Sequence, residues 1–529
     1  MTRLHNNLVA GLISCGIAAT LASCDSYLDE LPDNRTEITS VEKVQKLLGS
    51  CYITHDVLLV AEVMSDNVDN YGIQNPNTNR FMDQVYSWQD VTEANNQGAE
   101  NVWEDAYGCI ASANMALEAI DAMGGATTTA LQQARAEALL CRAYLHFVLV
   151  NMFGHAYNSK TSTTDLGIAY MQHTAETLDA NPPRNTVAEV YQLIDRDLQE
   201  ALPIVGNNYQ VPKYHFNQKA AYAFAARFYL YYEQWDKVID YATRCLGNTP
   251  QAMLRDWSYM ATMTQTFDAI TQHYIDATLN CNLLLLSGYS SIGLVFGPYQ
   301  YMSKYSHGRY LAQHEDGDAA NIWGSARPYQ EMNTYSATNL DKSIFWKLPV
   351  LVEYTDPVAG IGFFHTVYPA FTTDEALLNR AEAYVLSNQY DKAAQDLTLW
   401  MQNFINTSQV LTPNDIQAFY NNIGYSYSDE KGIASTIKKH LHPKFDIGAE
   451  GDMKEAMLQC VLGFRRIETL QTGLRWYDVK RYGIEIVRRI INAEGMPQQR
   501  TDLLTTDDPR RAMQIPVKAR SAGVQPNPR

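Results

Sequence analysis

The sequence lacks cysteines at metal-binding or redox spacing. Of its eight cysteines, Cys51, Cys109, Cys141, Cys245, Cys281 and Cys460 stand singly and far apart, so neither a CxxC pair nor a zinc ligand set can be assembled from neighbours. Four of them lie in apolar helical stretches, where a thiol behaves as a small hydrophobe, and buried free thiols are expected rather than a disulfide framework. Positive charge is also scarce: 41 Lys and Arg against 58 Asp and Glu give a net charge of −17. With no basic cluster to neutralise phosphates, a nucleic-acid surface is excluded, and a neutral or cationic ligand is electrostatically easier. Catalytic signatures are missing too, with no GxSxG elbow, HExxH, phosphate-cradling glycine loop or GxGxxG after a strand. His440-Leu441-His442 has no further ligand at a recognised spacing, and Glu315-Asp316-Gly317-Asp318 offers too few oxygens for a calcium loop. Both read as solvated surface, and no metal or cofactor is expected. Beyond residue 24, no stretch reads as a membrane-spanning helix.

What is present begins with a leader. Arg3 and His5 give a basic start, and the apolar run Leu8 to Leu21 is too short to remain as a spanning helix. It ends in Leu21-Ala22-Ser23-Cys24, the form that a lipoprotein signal peptidase accepts. Residues 1–23 are therefore expected to be removed and Cys24 to carry lipid, followed by the acidic tether Asp25 to Glu30.

The body reads as helical. Trp103, Tyr107, Ile110, Asn114, Leu117 and Ile120 recur at three and four residues and predict a helix that stops at Gly124-Gly125. Further helices are predicted over 131–153, over 186–202 with a Thr186/Glu189 capping box, over 217–232 capped by Asn217, and over 235–246. Internal repetition pairs them. Ala226–Leu246 lies in register with Ala381–Met401, matching Tyr229 to Tyr384, Gln234 to Gln389 and Trp235-Asp236-Lys237 to Tyr390-Asp391-Lys392. This is how a tetratricopeptide-type pair turns from its first helix into its second, with small residues such as Ala223, Ala226, Ala381 and Ala383 letting neighbours approach.

Between Pro250 and Phe371 helical periodicity weakens, and Gly, Pro, Asn and Tyr crowd in. A long aromatic-rich segment of this kind belongs to function rather than to disorder. The stretch from Ser65 through Trp88 has a similar mix of aromatics and amides.

Several segments, taken in order, resemble the SusD/RagB family of surface nutrient-binding lipoproteins. They are Cys24-Asp25-Ser26-Tyr27-Leu28-Asp29, Arg135-Ala136-Glu137-Ala138 running to Arg142-Ala143-Tyr144-Leu145-His146-Phe147, and Pro183-Arg184-Asn185-Thr186-Val187. After these come Asn217-Gln218-Lys219-Ala220-Ala221, Leu378-Asn379-Arg380-Ala381-Glu382-Ala383-Tyr384, Gly473-Leu474-Arg475-Trp476-Tyr477-Asp478, Ile515-Pro516 and Asn527-Pro528. Phe464-Arg465 and Thr472-Gly473 depart from the Glu-Arg and Glu-Gly that the family usually carries ahead of Arg-Trp. Arg475, Trp476 and Asp478 read as packing and ion-pair anchors rather than ligand contacts.

The resemblance implies a mainly α, tetratricopeptide-like helix-pair scaffold with long irregular loop inserts. It divides the chain into a signal peptide (1–23), an N-terminal helical region (24–250), an aromatic-rich insert (251–370) and a C-terminal region (371–529) packed as one body with the N-terminal part. It implies capture of an oligosaccharide, or in some members a peptide, without catalysis. The ligand is handed to a SusC-like TonB-dependent outer-membrane barrel from a lipid-anchored position facing the cell exterior. Sugar rings stack on aromatic faces while amides and charges bind hydroxyls. The stacking candidates are thus Trp88, Tyr71, Tyr299, Tyr301, Trp323 and Tyr329, with Asn67, Asp69 and Arg309 as polar partners. A glycan-degrading enzyme and a pure assembly scaffold are the rival classes, since the carboxylate spacing of a glycosidase is set by the fold.

Overall fold

The computed structural model describes residues 38–174 and 183–529; Cys24, the expected site of lipid attachment, and the expected leader lie outside the described residues. The main helices are α1 (Val41–Leu48), α2 (Leu58–Met64), α3 (Ala99–Ala122), α4 (Thr129–Phe153), α5 (Val187–Ala201), α6 (Gln218–Tyr231), α7 (Trp235–Leu246), α8 (Arg309–Glu315), α9 (Thr373–Leu386), α10 (Tyr390–Phe404), α11 (Pro413–Asn421), α12 (Met453–Thr469) and α13 (Arg475–Arg481). The fold is mainly α and built on helix pairs, as the sequence predicts. α3 packs on α4, α4 on α5, α6 on α7, α9 on both α7 and α10, and α12 on α9 and α11.

Local chemistry sets these elements. Thr186 and Glu189 form the predicted capping box of α5, Asn217 caps α6 through the Ala220 N–H, and Gly124 and Gly125 take positive φ just past α3. α7 is amphipathic, burying Val238, Ala242, Cys245 and Leu246 while Asp236, Asp240 and Arg244 face solvent. α4 has no polar face. By length and composition it could cross a membrane, contrary to the expectation from sequence, yet nearly all of its residues from Leu131 to Phe153 are buried inside the fold.

The internal repeat is geometric as well as sequential. Glu233 and Asn388, equivalent residues of the two turns, have φ of 60° and 57°, and the next N–H in each turns back to the carbonyl of Tyr229 or Tyr384 at 3.0 and 2.7 Å. Ala223, Ala226, Ala381 and Ala383 are all buried at the helix contacts; larger side chains there would overpack the pair by about 1–3 kcal/mol. All six described cysteines are buried and free.

The span 251–370, irregular by sequence, carries most of the strands: β2 (Asn282–Tyr289), β3 (Tyr305–Ser306), β4 (Asn333–Ala337), β5 (Leu340–Ile344), β6 (Leu351–Asp356) and the start of β7 (Ile361–Thr372). The others are β1 (Asp69–Asn70), β8 (Ile486–Ile491) and β9 (Pro497–Leu504). They form sheets of order β3-β1-β8-β9, β2-β7-β6 and β4-β5. Their shortness and register shifts explain why no clean alternation marks them in sequence.

Candidate functional site

The two aromatic-rich regions meet. β1, from the 65–88 stretch, pairs antiparallel with β3, aligning Asp69 with Ser306 and Asn70 with Tyr305. The Tyr71 N–H then donates to the Lys304 carbonyl at 2.9 Å, and the Lys304 N–H to the Asn77 carbonyl at 3.1 Å. A few residues before β3 the loop Tyr299-Gln300-Tyr301 is exposed, its two tyrosines 37% and 38% accessible.

That loop is fixed from below. Lys342, buried on β5, donates from Nζ to the carbonyls of Val295 (2.7 Å), Gly297 (3.2 Å) and Tyr299 (2.5 Å). Burial depresses its pKa to about 7. Gly297 is required at its position, because a Cβ would lie 2.1 Å from the Gly293 carbonyl oxygen.

The β6–β7 hairpin adds further rings. Val352, Tyr354, Ile361, Phe363 and Phe364 are all exposed on it. Phe364 lies 6.1 Å from Tyr301, ring to ring, and Phe363 lies 5.9 Å from Tyr289, while Tyr299 meets Phe267 edge-on at 5.8 Å. Exposed rings beside the Gln300 amide suit the C–H faces and hydroxyls of a sugar.

A buried ion network joins the segment leading into β1 to α8, α12, α13 and β8. Asp66 accepts from Arg475 at 2.7 and 2.8 Å, and Glu315 accepts from Lys439 and Arg466 at 2.6 Å and from Arg489 at 3.1 Å. Burial alone would raise both carboxyls, but these cations hold them below the usual carboxylate range. Glu315, Asp316 and Gly317 are buried, with Asp316 on His307 at 2.8 Å, which corrects the reading of 315–318 as solvated surface at all but Asp318, which is exposed. Among the described residues, no group of three or more His, Cys, Asp and Glu is placed to hold a metal ion.

The structure separates the nine candidates. Tyr299 and Tyr301 are exposed, Tyr329 is half-buried, and Arg309 reaches solvent with Asp341 at 3.6 Å. The remainder are built into the fold, so their assignment to a ligand surface is revised. Trp88, 2% exposed at φ 52°, donates to the Met64 carbonyl and lies 4.1 Å from the Arg488 guanidinium. The Tyr71 hydroxyl donates to Asp341 at 2.7 Å. Asn67 bridges Glu62 and Arg466, Asp69 pairs with Arg489 at 2.8 Å, and Trp323 packs on Phe464. Arg475, Trp476 and Asp478 are buried anchors, as expected. Lys342, Gln300, Tyr354, Phe363 and Phe364 are not among the residues that the sequence singles out; the Phe363-Phe364 doublet is a visible signal for the last two.

The helix-pair scaffold has a SusD-like fold, and the SusD/RagB resemblance is borne out. Residues 26–230 match the model of a SusD-like family described as starch-binding and associating with the outer membrane. In fold the chain is similar to a putative sugar binding protein from Bacteroides vulgatus, with TM-score 0.66, 17% identity, and coverage of 93% of this chain and 99% of that one. It is also similar to a SusD superfamily protein from Bacteroides thetaiotaomicron, with TM-score 0.61, 16% identity, and coverage of 93% and 100%. A SusD-like carbohydrate binding protein from Bacteroides vulgatus matches with TM-score 0.56, 16% identity, and coverage of 91% and 96%. No curated protein matches by sequence.

Proposed function

We propose that this chain captures an oligosaccharide on the surface formed by Tyr299, Gln300, Tyr301 and the rings of the β6–β7 hairpin, without cleaving it. It passes the ligand to a SusC-like TonB-dependent barrel, and lipid on Cys24 holds it on the outer membrane facing outward. The observation that carries the reading is the pinned loop: exposed aromatics are held in place before a ligand arrives, which lowers the entropy lost on binding. The family's description as starch-binding and outer-membrane-associated supports the ligand class and the location.

Titration of the wild type against a glycan panel, maltooligosaccharides included, is expected to give a binder, and the Tyr299→Ala, Tyr301→Ala double variant is expected to lose about tenfold or more in affinity, roughly 1.4 kcal/mol. Unchanged affinity would overturn the assignment, and shortened products after incubation would make the chain an enzyme. Cys24→Ala is expected to lose surface retention while keeping ligand binding; retention without the barrel would refute the anchor.

A second reading is peptide capture. β6 ends its sheet, and its outward backbone groups offer an edge to which an extended peptide adds as a strand. Peptide binding that survives loss of Tyr299 and Tyr301 would favour it.

A further inference from the structure

On the helix-pair side of the molecule a cavity of about 240 Å³ opens between the α6–α7 turn, the segment after α4 and the loops around 442–445 and 506–511. His155, Tyr157, Glu233, His442 and Phe445 line it, and it adjoins an open cleft along the 441–448 segment.

Glu233 is the anomaly. Its left-handed backbone is the one its counterpart Asn388 also adopts, and asparagine tolerates that conformation far better than glutamate. Its carboxyl meets the cavity with Oε1 buried and without a hydrogen-bond partner. Burial raises its pKa even though Arg481 and the Ser159 hydroxyl and N–H act in the other direction. At the equivalent turn the Asn388 Oδ1 accepts from the Tyr390 hydroxyl at 2.9 Å, whereas Glu233, on the same left-handed backbone, turns an acceptor without a protein donor toward the cavity.

The cations around the cavity are already engaged, so an anion gains little there. Lys480 donates to the carbonyls of Asn151 and Gly154, Arg481 to Glu382 and the Leu230 carbonyl, and Arg511 to those of Thr505, Val479 and Ile484. Lys444 pairs with Asp507 at 2.8 Å. The other lining groups include the Glu233 acceptor, the His442 and Asp165 side chains, the His155 imidazole, whose pKa burial lowers, and the partly covered rings of Tyr157 and Phe445. Acceptors beside aromatic carbon suit a polyhydroxylated ring, and the volume falls short of the roughly 300–1,000 Å³ of drug-sized sites.

We propose that this cavity is a second site that binds one neutral sugar ring, with Glu233 accepting from its hydroxyls. It is separate from the aromatic surface and does not depend on it. The test is titration calorimetry on the full chain in detergent with D-glucose, D-galactose, D-mannose, D-xylose and N-acetyl-D-glucosamine in turn at millimolar concentration. At least one is expected to bind. Glu233→Gln is expected to weaken that binding about tenfold or more, and Glu233→Asn should do the same while its Tm stays at or above wild type, which separates lost binding from lost folding. The Tyr299→Ala, Tyr301→Ala double variant is expected to bind as wild type. Absence of binding to all five sugars, wild-type affinity in both Glu233 variants, or loss in the tyrosine variant would overturn the proposal; the last outcome would return the binding to the aromatic surface.

Discussion

Lys342 Nζ donates to the carbonyl of Tyr299 at 2.5 Å from a position closed to solvent. One buried ammonium thus governs the backbone that carries two exposed rings. Replacing Lys342 with Met leaves three carbonyls without their donor and removes a costly buried charge, effects that partly cancel. We expect a stability loss of about 1–3 kcal/mol in denaturant unfolding and ~3- to 10-fold weaker oligosaccharide binding, because the loop must then be ordered by the ligand. Unaltered affinity in the folded variant would show that the loop holds itself.

The same lysine gives a pH signature. Its folded pKa of about 7 lies below the ordinary 10.5, and burial likewise lowers Lys347 to about 8 and Lys480 to about 7. Between these values and 10.5 the unfolded chain binds more protons than the folded one, so the contribution of these lysines to stability rises with pH. The difference between wild type and Lys342→Met isolates one of them. It is expected to shift in favour of wild type by up to roughly 1.4 kcal/mol per pH unit above pH 7, measured by urea unfolding at pH 6, 7, 8 and 9. A difference that is flat or falls with pH contradicts the assignment.

Trp88 and Tyr301 should part company under mutation, though the sequence offers both as stacking rings. Trp88→Ala empties a buried site against Arg488 and is expected to cost about 3–5 kcal/mol. Tyr301→Ala removes an exposed ring and is expected to change stability by less than about 0.5 kcal/mol while weakening sugar binding. Thermal unfolding and calorimetry on the two variants read both effects.

How far the sequence reaches follows from where each signal originates. Thr186, Asn217 and the Trp235/Tyr390 turn act through neighbours in the chain, so caps, helices and the repeat are legible. Trp88, Tyr71 and Asn67 stand in a segment of the right composition, but their burial is decided by Arg488, Asp341 and Arg466, hundreds of residues away. Composition points to two aromatic-rich regions, and the exposed rings come from one of them, 251–370. It did not say which aromatic faces out, since Tyr301 and Tyr71 differ only in what the rest of the fold places over them.

Arg475 offers the clearest contrast between anchoring and binding. Its guanidinium holds both oxygens of Asp66, and Asp66 lies 3.5 Å from Arg466, which reaches Glu315 at the end of α8. The network therefore ties α12 and α13 to the segment leading into β1 and to the insert helix α8. Arg475→Ala removes one cation from a buried carboxylate and is expected to cost about 3–5 kcal/mol. Because Arg466 and Lys439 remain, the Asp66 carboxyl stays ionised, and the loss should fall on the docking of the inserts rather than on the helix pairs. Hydrogen exchange by mass spectrometry on Arg475→Ala is expected to show faster exchange at 65–71 and 305–316, with α6, α7, α9 and α10 protected as in wild type. Uniform loss of protection across the helix pairs would mean that inserts and scaffold unfold as one unit.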